Sequence, residues 1–278
     1  MSYIGVVIAT YNSAEYLVRC LGSVLEQTYD EVDIYIQDGG SSDQTVDLIK
    51  EYESSLTYWA SEPESGRYDA WNKALSQAES EWFVFLGSDD YLWGPDTLER
   101  MVPILEGAYP DNRVVYGSVN RVRKDGTVIQ TEGQDWAWAQ KRFYDRMSLP
   151  HQGVFHHRSL FEKHGMFDVA YQIVGDHELL LRELRHRDPL FVPHVVVSGM
   201  QVGGVSLQTS RSIERWLEYR RSQLKHDISG FRWRWWFGYS RAKVRRWTEK
   251  FLGESAANRL ADFYRSLIGL PRFWTLRS

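Results

Sequence analysis

The chain has 278 residues, 43% hydrophobic and 14% aromatic, enough for one large α/β domain plus an extension and too apolar for a disordered chain. Its single cysteine, Cys20, excludes an intrachain disulfide and any thiolate-based zinc cluster, and fits a reducing, cytosolic compartment. The net charge of −4 conceals two opposed parts: residues 1–210 carry 17 Lys+Arg against 31 Asp+Glu, and residues 211–278 carry 16 against 6.

Met1 to Thr10 reads as a short strand running directly into Tyr11-Asn12-Ser13, without the basic and then apolar pattern of a secretory leader, so none is expected. Tyr16, Leu17, Cys20, Leu21, Val24 and Leu25 then fall at helical spacing. Val32 to Gln37 resumes strand character and stops at the turn Asp38-Gly39-Gly40. Thr45 to Tyr52 predicts a helix, Tyr58 to Ser61 a strand, Tyr68 to Ala78 a helix, and Trp82 to Leu86 a buried strand that ends at Gly87-Ser88-Asp89-Asp90. This alternation is the pattern of βαβ units building a largely parallel sheet. Beyond Asp111, Val114 to Val122 and Val128 to Gln130 predict an antiparallel hairpin around Lys124-Asp125-Gly126, followed by an aromatic segment on the acceptor side. His177 to Arg187 predicts a helix, Leu190 to Val197 a strand, and Gly203-Gly204 a loop leading into the basic, Trp-rich tail. Val195 to Ser210 is uncharged, but its glycines and polar residues make it unfit to span a bilayer.

Open α/β sheets bind ligands at the carboxyl ends of their strands, and three such ends here carry unusual residues. Asp89-Asp90 places two hard oxygen ligands in one loop, suited to Mg²⁺ or Mn²⁺ on a diphosphate, although an Asp pair also serves as a plain solvated turn. Asp38 can accept a hydrogen bond from a nucleobase N–H, with Gly39 and Gly40 letting a flat ring approach the backbone; an ordinary turn uses the same residues. Arg67 offers a charge-assisted fork to phosphate, or a surface ion pair. Asp176, in Gly175-Asp176-His177-Glu178, is either a helix cap or a general base for an acceptor hydroxyl. The chain contains no GxGxxG, GxxxxGK[ST], HExxH or GxSxG pattern, which removes the common dehydrogenase, P-loop, zincin and α/β-hydrolase readings.

Taken together, four segments closely resemble family-2 glycosyltransferases: Val6 to Asn12, Asp38 to Thr45, Glu62 to Lys73, and Leu86-Gly87-Ser88-Asp89-Asp90. His151-Gln152 and Gly175-Asp176-His177-Glu178 extend the resemblance to about Ser206. It implies the GT-A fold, a UDP-sugar donor, inversion at the anomeric carbon, and one base with one metal ion. By the same resemblance Thr10, Tyr11 and Asn12 flank the nucleotide, Asp38 reads the uracil edge, Arg67 approaches the diphosphate and Asp69 lies near base or ribose. Asp89 contacts ribose or sugar, Asp90 is the metal ligand and Asp176 the base; His151 and Glu178 are candidates for contacts to the acceptor or donor sugar. The chain departs from the family at Gly87, where many relatives carry a further acidic residue.

The expected division is therefore a GT-A catalytic domain over residues 1–210 and a helical, basic extension over 211–278. The acceptor expected is a glycan or lipid-linked glycan in bacterial-type polysaccharide synthesis. The tail, with Phe231-Arg232-Trp233-Arg234-Trp235-Trp236-Phe237, suits either the headgroups of an anionic membrane or packing of its tryptophans on the catalytic domain. Nucleic acid is not an expected partner, because the catalytic part is acidic. The expected location is the cytoplasm, peripheral to the inner face of the membrane. The competing readings are a sugar nucleotidyltransferase and a sugar-nucleotide or glycan binding module without catalysis.

Overall fold

The computed structural model describes residues 2–202, 211–267, 269, 272, 274 and 275. The loop expected at Gly203-Gly204 and the boundary at Ser210 lie outside the described residues. The order of elements is β1 (Ile4–Thr10), α1 (Ala14–Leu25), β2 (Val32–Asp38), α2 (Thr45–Glu51), β3 (Tyr58–Ser61), α3 (Arg67–Leu75), β4 (Trp82–Gly87), β5 (Tyr91–Leu92) and α4 (Thr97–Ala108). There follow β6 (Val114–Val122), β7 (Val128–Glu132), α5 (Trp136–Phe143), β8 (Val154–His157), α6 (Arg158–His164), α7 (Gly175–Leu184) and β9 (Leu190–Gln201). Two basic helices, α8 (Ser212–Lys225) and α9 (Trp233–Leu267), complete the described chain.

The strands form one mixed sheet in the order β3-β2-β1-β4-β8-β6-β9-β5, with β7 paired to β6. β3, β2, β1 and β4 are mutually parallel, while β8 runs antiparallel to β4 and to β6. Alternation along each parallel strand sends side chains to opposite faces. Val6, Ile8, Ile34, Ile36, Val84 and Leu86 join α1, α2 and α4 in one core. Val7, Tyr35, Phe83 and Phe85 join α3, α5, α7 and α8 in the other. α1 meets its core through Leu17, Cys20, Leu21 and Val24, the i, i+3, i+4, i+7 stripe of an amphipathic helix.

Several boundaries differ from expectation by a few residues: α3 spans Arg67–Leu75, β7 Val128–Glu132 and α7 Gly175–Leu184; the extension of β9 and a break in α9 have identifiable causes. β9 runs to Gln201, because its pairing shifts between Gly117↔Val192 and Ser118↔Val196 and leaves Pro193 in a bulge where no ladder N–H is needed. Gly117 makes room for that bulge: a Cβ there would lie 2.7 Å from the Val195 carbonyl oxygen. α9 breaks at Gly253, whose φ of 82° only glycine adopts readily. An Arg245–Asn258 hydrogen bond of 2.6 Å and the Arg241 guanidinium over the Tyr264 ring fold its second half back along the first.

Candidate active site

Parallel pairing brings four strand ends into one row. Thr10 aligns with Asp38, Asp38 with Ser61, and Ala9 with Gly87, so the loops after β1, β2, β3 and β4 open on the same edge.

Asp38 organises the first of these loops. Its carboxylate is buried and accepts from Thr10 Oγ1 (2.8 Å), Ser61 Oγ (2.7 Å), the Gly40 and Ser41 N–H groups (3.1 and 2.9 Å) and the Ser41 hydroxyl. Burial opposes ionisation, but the bonds from Ser41, Ser61 and Thr10 hold the group below the usual carboxylate range. Asp38, expected to bond the uracil edge, is thus already engaged by its own turn and by Thr10 and Ser61 of the neighbouring strands. Asn12 ties the β1 loop to the same turn, donating its N–H to Ser41 Oγ at 2.8 Å and accepting from the Ser42 N–H at 2.9 Å. Its φ of 47° is the left-handed conformation that Asn tolerates. This leaves Tyr11 65% exposed with its ring above Gly39, where a Cβ would stand 3.4 Å from Tyr11 Cδ2 and 3.5 Å from Glu64 Oε2. Glycine there lets the Tyr11 ring and the Glu64 carboxylate lie close against the backbone.

Arg67 starts α3 behind Gly66, whose φ is 139°. Asp69 reaches back from the first turn to the Ser65 N–H and hydroxyl at 3.0 and 3.1 Å, fixing that entry as a capping carboxylate does. Arg67 is then the shared cation of the site: its charge opposes the rise that burial imposes on Asp89 and Asp176, and burial, with Arg67 nearby, holds His151 neutral, at about 3. His151 is buried and stacked on Trp71 at 5.3 Å, with no hydrogen-bond partner at Nε2.

Asp89 and Asp90 fold back over Gly87. Asp90, 3% exposed, accepts from the Gly87 N–H at 3.2 Å through Oδ2, while its Oδ1 is buried without a hydrogen-bond partner. Burial, then the charge of Asp89, pushes Asp90 well above the usual carboxylate range, and burial raises Asp89 too. A Cβ on residue 87 would lie 2.8 Å from Asp89 Oδ1 and 2.9 Å from Asp90 Oδ2, which explains glycine where relatives carry an acid. Arg19 braces this loop through the Asp89 carbonyl (3.2 Å) and Gln201 (2.8 Å). An orphaned, desolvated carboxylate oxygen fits a hard divalent cation. Among the described residues no three His, Cys, Asp or Glu side chains form a metal cage.

Asp176 is the second residue of α7, whose cap is Val174. It is not the helix cap that its local sequence allowed. Its half-buried carboxylate accepts from the His177 N–H at 2.8 Å and from the Tyr68 hydroxyl at 3.2 Å, and burial raises its pKa. Glu178 is turned away from this group. It is completely buried and engaged by Arg182, by Lys225 at 2.9 Å and by His226 at 2.7 Å, which hold it well below the usual range against its burial. The contact to substrate expected of Glu178 is therefore replaced by an anchor between α7 and α8.

Three residues of the site were not singled out in the sequence. Tyr68 shares its hydroxyl between Asp176 and the Ile173 carbonyl (2.8 Å), and Glu64 lies beside Gly39. Glu218, on α8, is buried and accepts three successive backbone N–H groups, from Gln172 (2.8 Å), Ile173 (2.9 Å) and Val174 (3.0 Å). It fixes the turn immediately before Asp176. No local motif marks Glu218; only the fold brings it there.

Residues 5–165 match the family model of Glycosyl transferase family 2. The chain belongs to that family. The expected resemblance and the GT-A-type fold are both borne out. The chain is 30% identical over 210 residues to a PGL/p-HBAD biosynthesis glycosyltransferase of Mycobacterium bovis, covering 72% of this chain and 78% of that one. An uncharacterized glycosyltransferase of Mycobacterium tuberculosis is 30% identical over 191 residues, covering 68% and 71%. The fold also resembles Staphylococcus aureus TarS 1–349 in complex with UDP-GlcNAc, at a TM-score of 0.61 and 17% identity over 80% of this chain and 66% of that one. The chain spans 39% of the longer TarS chain. A mannosyltransferase from Pyrobaculum calidifontis, in complex with GDP-Man and Mn²⁺, gives a TM-score of 0.60 at 19% identity over 94% and 75%.

Proposed function

We propose that this family-2 glycosyltransferase moves a hexose or N-acetylhexosamine from a UDP-sugar to an acceptor hydroxyl with inversion at the anomeric carbon. The acceptor is a glycan or lipid-linked glycan of bacterial-type surface polysaccharide, met at the inner face of the cytoplasmic membrane. The observation that carries this reading is Asp176: a half-buried carboxylate, held by Tyr68, sharing Arg67 with the loop of Asp89. UDP-GlcNAc bound to TarS supports a nucleotide-sugar donor. In this reading residues 1–210 supply the donor site and the base, and residues 211–278 form an extension whose first helix steadies the base.

The nucleobase lies beside the exposed Tyr11 ring, over the turn shaped by Thr10, Asn12 and Asp38, with Asp69 near base or ribose and Asp89 near ribose or sugar. Arg67 faces the diphosphate. Asp90 would hold Mg²⁺ or Mn²⁺, which when bound supplies charge neutralisation to the leaving nucleoside diphosphate. Asp176 takes the acceptor proton as the acceptor oxygen bonds to the anomeric carbon and the sugar–phosphate bond breaks. One displacement by one base gives inversion. His151, neutral beside Arg67, is a candidate for orienting the acceptor or the leaving group.

Incubation with a panel of sugar nucleotides and Mn²⁺ should release nucleoside diphosphate when acceptor is present. Release of pyrophosphate would identify a nucleotidyltransferase, and tight donor binding without turnover a binding module. Asp176→Asn should lower transfer by about 10²- to 10⁴-fold while donor affinity and melting temperature hold. Because burial raises the Asp176 pKa, the rate should already fall on acidification above the ordinary carboxylate range; an acid limb absent in wild type sinks the base assignment. Asp90→Ala should remove stimulation by metal, whereas a variant as active as wild type in excess EDTA would place the ion elsewhere.

A further inference from the structure

The first half of α9, from Trp233 to Leu252, has two unlike sides. Trp235, Gly238, Ala242 and Thr248 are buried, and a Cβ on Gly238 would strike the Trp216 ring. The opposite side carries Trp233, Trp236, Phe237, Val244, Trp247 and Phe251, each 49–62% exposed. Trp233, Phe237, Val244, Trp247 and Phe251 follow one another at three, four or seven residues, and Trp236 falls beside them, so they lie in one stripe along the helix. Arg234 and Arg241 border the stripe on one side, and Lys243, Arg246 and Lys250 on the other, all exposed. The sole acidic residue of this half, Glu249, belongs to the packed side, where it meets Arg245 at 3.0 Å.

We propose that this stripe is an in-plane membrane anchor, seated in the headgroup layer of an anionic bilayer. Aromatic and aliphatic side chains with lateral cations are the composition of a helix that lies at a lipid interface. No helix among the described residues is long and apolar enough to cross a membrane, which agrees with lying flat. A second copy of the same face is the poorer occupant, because it would set two rows of arginine and lysine against each other. An anionic surface neutralises those rows while its acyl boundary takes up the stripe. The excess of acidic residues over 1–210 is repelled by the same surface. The catalytic unit is thereby held off the bilayer while the tail is drawn to it. This inference stands independently of the catalytic reading.

The full chain should sediment with phosphatidylcholine vesicles containing about 30% phosphatidylglycerol, and far less with phosphatidylcholine alone, with binding falling as salt rises. Val244→Ser/Trp247→Ser/Phe251→Ser should weaken binding by at least about tenfold at unchanged melting temperature, since these side chains are exposed. Lys243→Glu with Lys250→Glu should cost about fivefold per cation removed, and more from the added negative charge. Equal sedimentation of the triple variant and wild type, or no sedimentation of wild type, overturns the anchor. A wild-type dimer that the triple variant converts to monomer, with neither binding vesicles, would assign the stripe to a second copy.

Discussion

Glu64 lies half-buried near Lys73, Asp69 and Asp38, and burial pushes its carboxyl up to about 7. Below that pH it is neutral; above it the surface beside Gly39 gains a negative charge. A nucleoside diphosphate is itself an anion, so its affinity should decline as pH rises through about 7. One like charge at about 1 kcal/mol corresponds to about fivefold. Glu64→Gln should hold the low-pH affinity throughout, as read by calorimetry from pH 6 to 8; a variant with the wild-type pH dependence would refute this. Glu64 illustrates what sequence reading misses at this scale. It stands inside a recognised motif, but its protonation depends on burial and on carboxylates from other loops. Asp38 was legible as a site residue from its strand end, yet its five internal hydrogen bonds required the positions of Thr10 and Ser61. Asp90 was legible as a metal ligand candidate, while the reason for glycine at 87 lies in how the two carboxylates fold back.

α8 connects the tail to the chemistry. Glu218 gathers the N–H groups of residues 172–174, and Ile173 returns its carbonyl to the Tyr68 hydroxyl that also bonds Asp176. Hydrogen bonds to a charged group contribute roughly 1.5–3 kcal/mol each, net of the bonds to water they replace. Glu218→Gln keeps the shape and removes the charge. It should cut turnover by about tenfold or more through loss of positioning, shift the acid limb of the rate profile, and leave donor affinity intact. Comparable loss of donor affinity and rate, or an unmoved pH profile, would reduce Glu218 to a purely structural brace. The alternation of strands and helices through β4 was readable because periods of two and 3.6 differ plainly. The role of α8 was not, because Glu218 is separated from its partners by more than forty residues and carries no motif. The extension of β9 past Pro193 was equally hidden, since the bulge exists only opposite Gly117.

Across the whole molecule, the tryptophans of the tail divide into those that pack on the catalytic domain and those left exposed, which the proposed anchor would use. Trp216 and Trp235 pack on the catalytic core, with the Trp235 indole N–H donating to the Trp216 carbonyl at 2.7 Å. Trp233, Trp236 and Trp247 face outward. Composition alone could not divide them, because packing and lipid contact call for the same residue types. The three backbone N–H groups gathered by Glu218 also set an order of events during synthesis. In the proposed reading, the donor loops and Asp176 leave the ribosome before α8 exists, so the turn in front of Asp176 is unheld until α8 follows. On that reading, full competence to transfer waits until α8 has folded back. A prematurely terminated product would thus be a poor catalyst rather than a leaky one, spared from squandering activated sugar on water.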